Sequence, residues 1–135
     1  MQPKSHDAVQ ALANSVKRLL DQSENSIEGF TLDNMCLGVI NSSTGYYVSD
    51  KNTQGNTGVL GAFKTVIYAQ EHDLLVGGWS KDGIMCFDAS VWFPLGKLKE
   101  AMEFAKTNEQ YSIWDCANNI EIVISNINFK DVVVN

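Results

Sequence analysis

Residues 74–124 constrain the fold more than any other stretch, because their hydrophobic spacing switches from extended to helical and back. Leu74 to Ser80 and Ile84 to Val91 are two apolar, β-rich runs on either side of Ser80-Lys81-Asp82-Gly83. Asp-Gly at the end of so short a connection supplies the positive-φ positions of a tight hairpin. Pro94 follows, at a place where a fixed φ opens a helix without loss. Leu98, Ala101, Met102 and Ala105 then recur at helical spacing, and Asn108 is placed to cap that helix at its C-terminus. A second hairpin joins residues 111–115 to residues 120–125 through Cys116-Ala117-Asn118-Asn119. Residues 120–124 alternate only in part, which predicts a central strand covered on both faces. Hairpin, helix and hairpin together predict an α+β fold.

The N-terminal half completes this picture. Val9, Leu12, Ala13, Val16, Leu19 and Leu20 form one apolar stripe on a helix over residues 7–22, capped by Ser5 or Asp7. The stripe predicts packing on the sheet or, alternatively, a dimer contact. Residues 29–33 are a short extended piece. Residues 35–40 and 46–49 read as two strands joined by Asn41-Ser42-Ser43-Thr44-Gly45. Residues 50–58 are polar and glycine-containing, which suits a surface loop or a binding loop. Thr57 is placed to cap a helix running to about Glu71, apolar on most of its circumference. For residues 59–68 a strand remains open as well, because Val, Ile, Phe and Tyr fit one equally. The valine-rich tail, residues 127–135, suits an edge strand or pairing with a second chain. The expected architecture is a single domain over residues 1–135. It has a mostly antiparallel sheet of five to six strands, an N-terminal helix and two further helices.

At 135 residues the chain can bury about two thirds of its unfolded surface and needs neither metal nor disulfide to fold. Its net charge of −6 opposes direct binding to nucleic acid or to an anionic membrane. The same charge leaves open an acidic inhibitor that mimics nucleic acid. Cys36, Cys86 and Cys116 are widely spaced with no CxxC pair, so no metal site and no cofactor are expected. Such cysteines suit a reducing compartment, and residues 8–20 read as neither signal peptide nor membrane span; the expected location is the cytoplasm.

No motif fixes a chemistry. Of the two histidines, His72 sits between Glu71 and Asp73, after a helix and before a strand. A general base oriented by a carboxylate needs such neighbours, and a helix C-terminus also suits an imidazolium. Catalytic candidates are therefore His72, Asp73 and Asp115, and whether the protein is an enzyme stays open. Asp82 is explained by turn chemistry, and Asp115 can cap its own turn. Gly77-Gly78-Trp79 lacks the lysine and helix of a phosphate loop. Glycines inside a strand mark a bulge or a bulky side chain lying across the backbone. Trp79, Phe87, Trp92 and Trp114 are the ligand-binding candidates, as walls of an aromatic pocket or as core.

Gly77-Gly78-Trp79, Asp82-Gly83, Phe87-Asp88, Ala101, Phe104-Ala105, Asn108-Glu109-Gln110 and Ile113-Trp114-Asp115 give the C-terminal half a pattern. It is similar to that of small uncharacterised proteins of phages and other mobile elements. Gly29-Phe30-Thr31 and Gly45-Tyr46 resemble the first half of such proteins. The resemblance implies an accessory role and an α+β fold, and transfers no catalytic residue. The expected function is a non-catalytic binding or interaction module acting as a homodimer that binds a partner protein or a small ligand, with contacts at residues 63–67 and the tail. The alternatives are a small hydrolase built on His72 and a carboxylate, and the acidic mimic.

Overall fold

A computed structural model describes residues 6–25 and 29–124. Ser5 and the valine-rich tail lie outside the described residues. Among the described residues the fold is α+β, with three helices and an antiparallel sheet of seven strands, slightly more than the sequence suggests. In chain order the elements are α1 (His6–Asn25), β1 (Phe30–Leu32), β2 (Tyr46–Ser49), β3 (Asn56–Thr57), α2 (Gly58–His72), β4 (Leu75–Lys81), β5 (Ile84–Phe93), α3 (Leu98–Thr107), β6 (Ser112–Asp115) and β7 (Ile120–Val123). The strands hydrogen-bond in the order β1-β4-β5-β2-β6-β7, with β3 on β5. The described residues form two compact units, 6–25 and 29–40 with 55–89 and 41–54 with 90–124, so β5 gives residues 84–89 to the first and 90–93 to the second.

In the first unit, α1 packs on α2. Val16 and Leu19 of α1 are buried among Leu32, Ala62, Val66, Ala69, Val76 and Phe87. The α1 stripe is narrower than its spacing suggests, since Val9 and Ala13 stay exposed. Residues 59–68 are helix, which excludes the strand alternative. Its small residues explain the choice: Gly61, Ala62, Thr65 and Ala69 are buried and let neighbouring elements approach closely, while Val59 and Leu60 remain exposed. Thr57 is the N-cap residue but makes no side-chain capping bond. Phe63 packs against the core of this unit. The Asp82–Gly83 connection has positive φ at both positions, 53° and 80°, as a two-residue hairpin loop needs.

Residues 35–40 are not the strand that their composition suggests. Asp33 takes over this segment: its carboxylate accepts the amides of Met35, Cys36 and Gly38 at 3.0, 2.8 and 2.9 Å. The chain therefore turns, with Leu37 at φ 54°, and only Val39 bridges back to Leu32. A side chain that satisfies local amides competes directly with a ladder.

In the second unit, α3 packs on β2 and β6 over Tyr46, Val48, Ala101, Met102, Ala105, Ile113 and Ile124. Asn108 ends α3 as expected, its side-chain amide donating to the Phe104 carbonyl at 3.0 Å. Residues 50–58 are more ordered than their composition suggests. Asp50 caps a 3-10 turn, Lys51–Thr53, in which Thr53 is buried, and residues 56–57 form β3. Residues 120–123 are also a correction: β7 is outermost in the described order, and Ile120 and Glu121 are exposed. Each of its faces carries one exposed and one half-buried residue, so β7 is not the strand covered on both faces that the partial alternation suggests.

Candidate functional site

β2 begins with two tyrosines in succession, and a strand sends neighbouring side chains to opposite faces. Tyr46 goes into the core with α3, and Tyr47 goes to the other face. Tyr47 stands opposite Trp92 of β5 on one side and Trp114 of β6 on the other. Trp114 in turn stands opposite Glu121 of β7. Directly paired residues share a face. Trp92, Tyr47, Trp114 and Glu121 therefore form one row across four strands, with the two tryptophans about 10 Å apart by strand spacing. Trp92 is 40% exposed and Trp114 41%.

Two of the rings are held. The Trp92 indole N–H donates to the Thr44 carbonyl at 3.0 Å. Gly45, at φ 92°, lies against that indole, where a Cβ would collide with Trp92 and the Phe93 carbonyl. The Tyr47 hydroxyl shares a 2.7 Å hydrogen bond with Ser42 Oγ. Beside the row, Ser49 pairs with Ser90 and Ser112 with Val123, so the flanking residues are small or short. Trp92 and Tyr47 offer ring surface whose rotamer freedom is already spent, the arrangement that makes Trp and Tyr effective contact residues.

The sequence candidates divide between the two units. Phe87 is 2% exposed and belongs to the core of the first unit. Trp79 is half exposed on β4 of the same unit, next to glycines with packing roles of their own. The Phe30 ring lies across Gly78, and the Asp88 carboxylate occupies the space a Cβ on Gly77 would take. Trp92 and Trp114 stand in one row of the second unit. Tyr47 and Gly45, which complete that place, were not among the candidates; the adjacent tyrosines were the available signal, since only one of two neighbours can face a core.

His72 is exposed at the end of α2, its ring 4.1 Å from that of Tyr68 between centroids. Asp73 is the C-cap of α2, at φ 52°, with its amide on the Ala69 carbonyl. Its carboxylate accepts from the Asn34 side chain at 3.0 Å. Asp115 belongs to the second unit and caps its own turn, accepting from the Ala117 amide at 3.1 Å and the Asn118 side chain at 2.8 Å. Each of these three residues thus has a local structural task. Asp82 is a turn residue.

Asp33, Tyr46 and Cys116 have displaced pKa values. Burial raises Asp33, but hydrogen bonds from the Cys36 amide and thiol and from the Gly38 and Met35 amides outweigh it, and the carboxyl sits below its ordinary value. Burial, then the charge of Asp115, pushes the Tyr46 phenol up. The same two causes, in the same order, push the Cys116 thiol up, which makes it a poor nucleophile. Among the described residues no group of three or more His, Cys, Asp or Glu side chains could hold a metal ion. No described helix is long and apolar enough to cross a membrane.

No family model matches the chain, and neither a curated protein nor a solved structure does.

Proposed function

We propose that the protein is a non-catalytic interaction module that docks a partner protein on the row Trp92–Tyr47–Trp114. The supporting observation is the row itself: three amphipathic rings on one open sheet face, two of them held by hydrogen bonds to Thr44 and Ser42. Rigid, partly exposed Trp and Tyr side chains give up much contact area and little entropy on binding. The tasks already taken by His72, Asp73 and Asp115 weigh against the hydrolase alternative.

Photo-crosslinking tests this directly. A benzophenone amino acid is placed at position 112, beside Trp114 on the same face of β6, and, as a control, at position 103 on the exposed side of α3. The protein is expressed in the cells it comes from. Discrete adducts at 112, absent at 103 and lost on Trp92→Ala, support the row as the docking surface. Equal adducts at both positions, or none at 112, overturn it. An adduct of twice the chain mass identifies the partner as a second copy.

A further inference from the structure

The row is not uniform along its length. At one end Trp92 is tied down by Thr44 and backed by Gly45. At the other end Trp114 stands directly opposite Glu121, and both are exposed. Directly opposed residues have Cβ atoms about 5 Å apart, so an indole and a carboxylate are presented side by side on one face.

This pairing matches one side chain in particular. A guanidinium is planar and weakly hydrated; it stacks on an indole through its face and hydrogen-bonds a carboxylate through its edge. Lysine has no face to stack, so it can satisfy the carboxylate without covering the ring in the same way. The charge of the surroundings agrees. β2, β6, β7 and the second half of β5 contain no lysine or arginine, and the whole chain carries −6. A cation arriving at this face meets no repulsion from the strands, whereas a phosphate backbone would find no partner there.

We infer that the partner presents an arginine in an extended basic segment, its guanidinium stacked on Trp114 and paired with Glu121, while neighbouring residues lie along Tyr47 and Trp92. The inference rests on the row being the binding surface and adds the chemistry of what binds. It makes Glu121 a specificity residue and Trp114 the anchor.

The full chain, labelled with nitrogen-15, gives one indole N–H signal for each of Trp79, Trp92 and Trp114. The probe is a short blocked peptide of alternating arginine and glycine; the comparison is the same peptide with citrulline, which keeps the shape and removes the charge. The expected result is a saturable shift of Trp114, a smaller one of Trp92 and none of Trp79. Citrulline should weaken binding about tenfold, and so should Glu121→Gln, as for loss of a charge-assisted, stacked contact. Glu121→Gln should also flatten the dependence on salt. Trp114→Ala should abolish the Trp92 shift.

Equal affinity for the arginine and citrulline peptides overturns the inference, as does an equal shift of Trp79, which would mark general attraction to an acidic protein. A neutral oligosaccharide such as cellohexaose shifting Trp92 and Trp114 more than the arginine peptide also overturns it. So does the absence of any shift at millimolar peptide. In each case the crosslinking result at position 112 decides separately whether the row is still a docking surface. Glu121→Gln and the citrulline peptide disturb no packing, so the result does not depend on Trp114→Ala folding.

Discussion

The two units use glycine in the same way to seat an aromatic ring and arrive at opposite ends. In the first, Gly78 admits Phe30, which packs against the core, while Phe87 is itself part of that core. In the second, Gly45 admits Trp92, whose indole lies against it and stays 40% exposed. The difference lies in what covers each face. The first unit stacks α1 on α2, a second helix over the first. In the second unit α3 covers the Tyr46, Val48 and Ile113 side, and the Tyr47 side presents its rings. A glycine therefore positions a ring, and the covering layer decides whether the ring becomes core or contact surface.

The comparison can be strained hardest at the two cores. Leu19→Ala in the first unit and Met102→Ala in the second remove side chains with no exposed surface. Each should cost about 2–5 kcal/mol in denaturant unfolding, through lost burial and the cavity left behind. A much smaller loss at Met102 would mean that α3 is loosely seated and that the aromatic row lacks a rigid backing.

Gly45→Ala comes next. It combines a backbone at φ 92° with a Cβ that collides with Trp92 and the Phe93 carbonyl, and should cost about 1–3 kcal/mol or more. Gly55→Ala has a similar φ of 82° but open space around it, and should cost about 1 kcal/mol. The gap between these two melting temperatures isolates the contribution of ring seating from that of backbone conformation.

pH separates the two units again. The raised pKa of Tyr46 means that the unfolded chain loses this proton first. Its contribution is complete below the ordinary value of 10.0 and is lost as pH rises through the higher folded value. Cys116 behaves alike above its ordinary 9.0. The lowered pKa of Asp33 acts in the opposite direction: its contribution is present above the ordinary 3.8 and is lost as pH falls through the lower folded value. Unfolding followed against pH should therefore lose its alkaline slope in part with Tyr46→Phe and its acid slope in part with Asp33→Asn. Unchanged slopes in both variants would break the assignment.

Trp92→Phe should have the smallest effect. It deletes the hydrogen bond to Thr44 while keeping a ring over Gly45, and should cost about 1 kcal/mol by thermal melting. A loss beyond that would show that the indole is part of the core of the second unit and not a presented surface.

Much of the local structure was legible in the chain. Asp82-Gly83 marked its hairpin, Leu98 to Ala105 marked α3, and Asp115 with Asn118 marked a turn, because each signal acts over a few residues. Residues 35–40 misled because Asp33 claims their amides, and an apolar run carries no sign of a competing carboxylate upstream. Residues 120–123 misled because partial alternation reads alike whether or not both faces are covered, and here Ile120 and Glu121 are exposed.

For the site, the chain by itself determined which side chains could be presented. Strand alternation makes Tyr46 and Tyr47 face apart, and the three tryptophans were conspicuous from composition alone. It could not determine that Trp92 and Trp114 stand on either side of Tyr47. That follows from β2 lying between β5 and β6, a pairing of segments distant in sequence. Face is a local property, set by the two-residue period of a strand. Neighbourhood is a long-range one, set by which strands bury their other side on the same helix, and only the folded chain decides it.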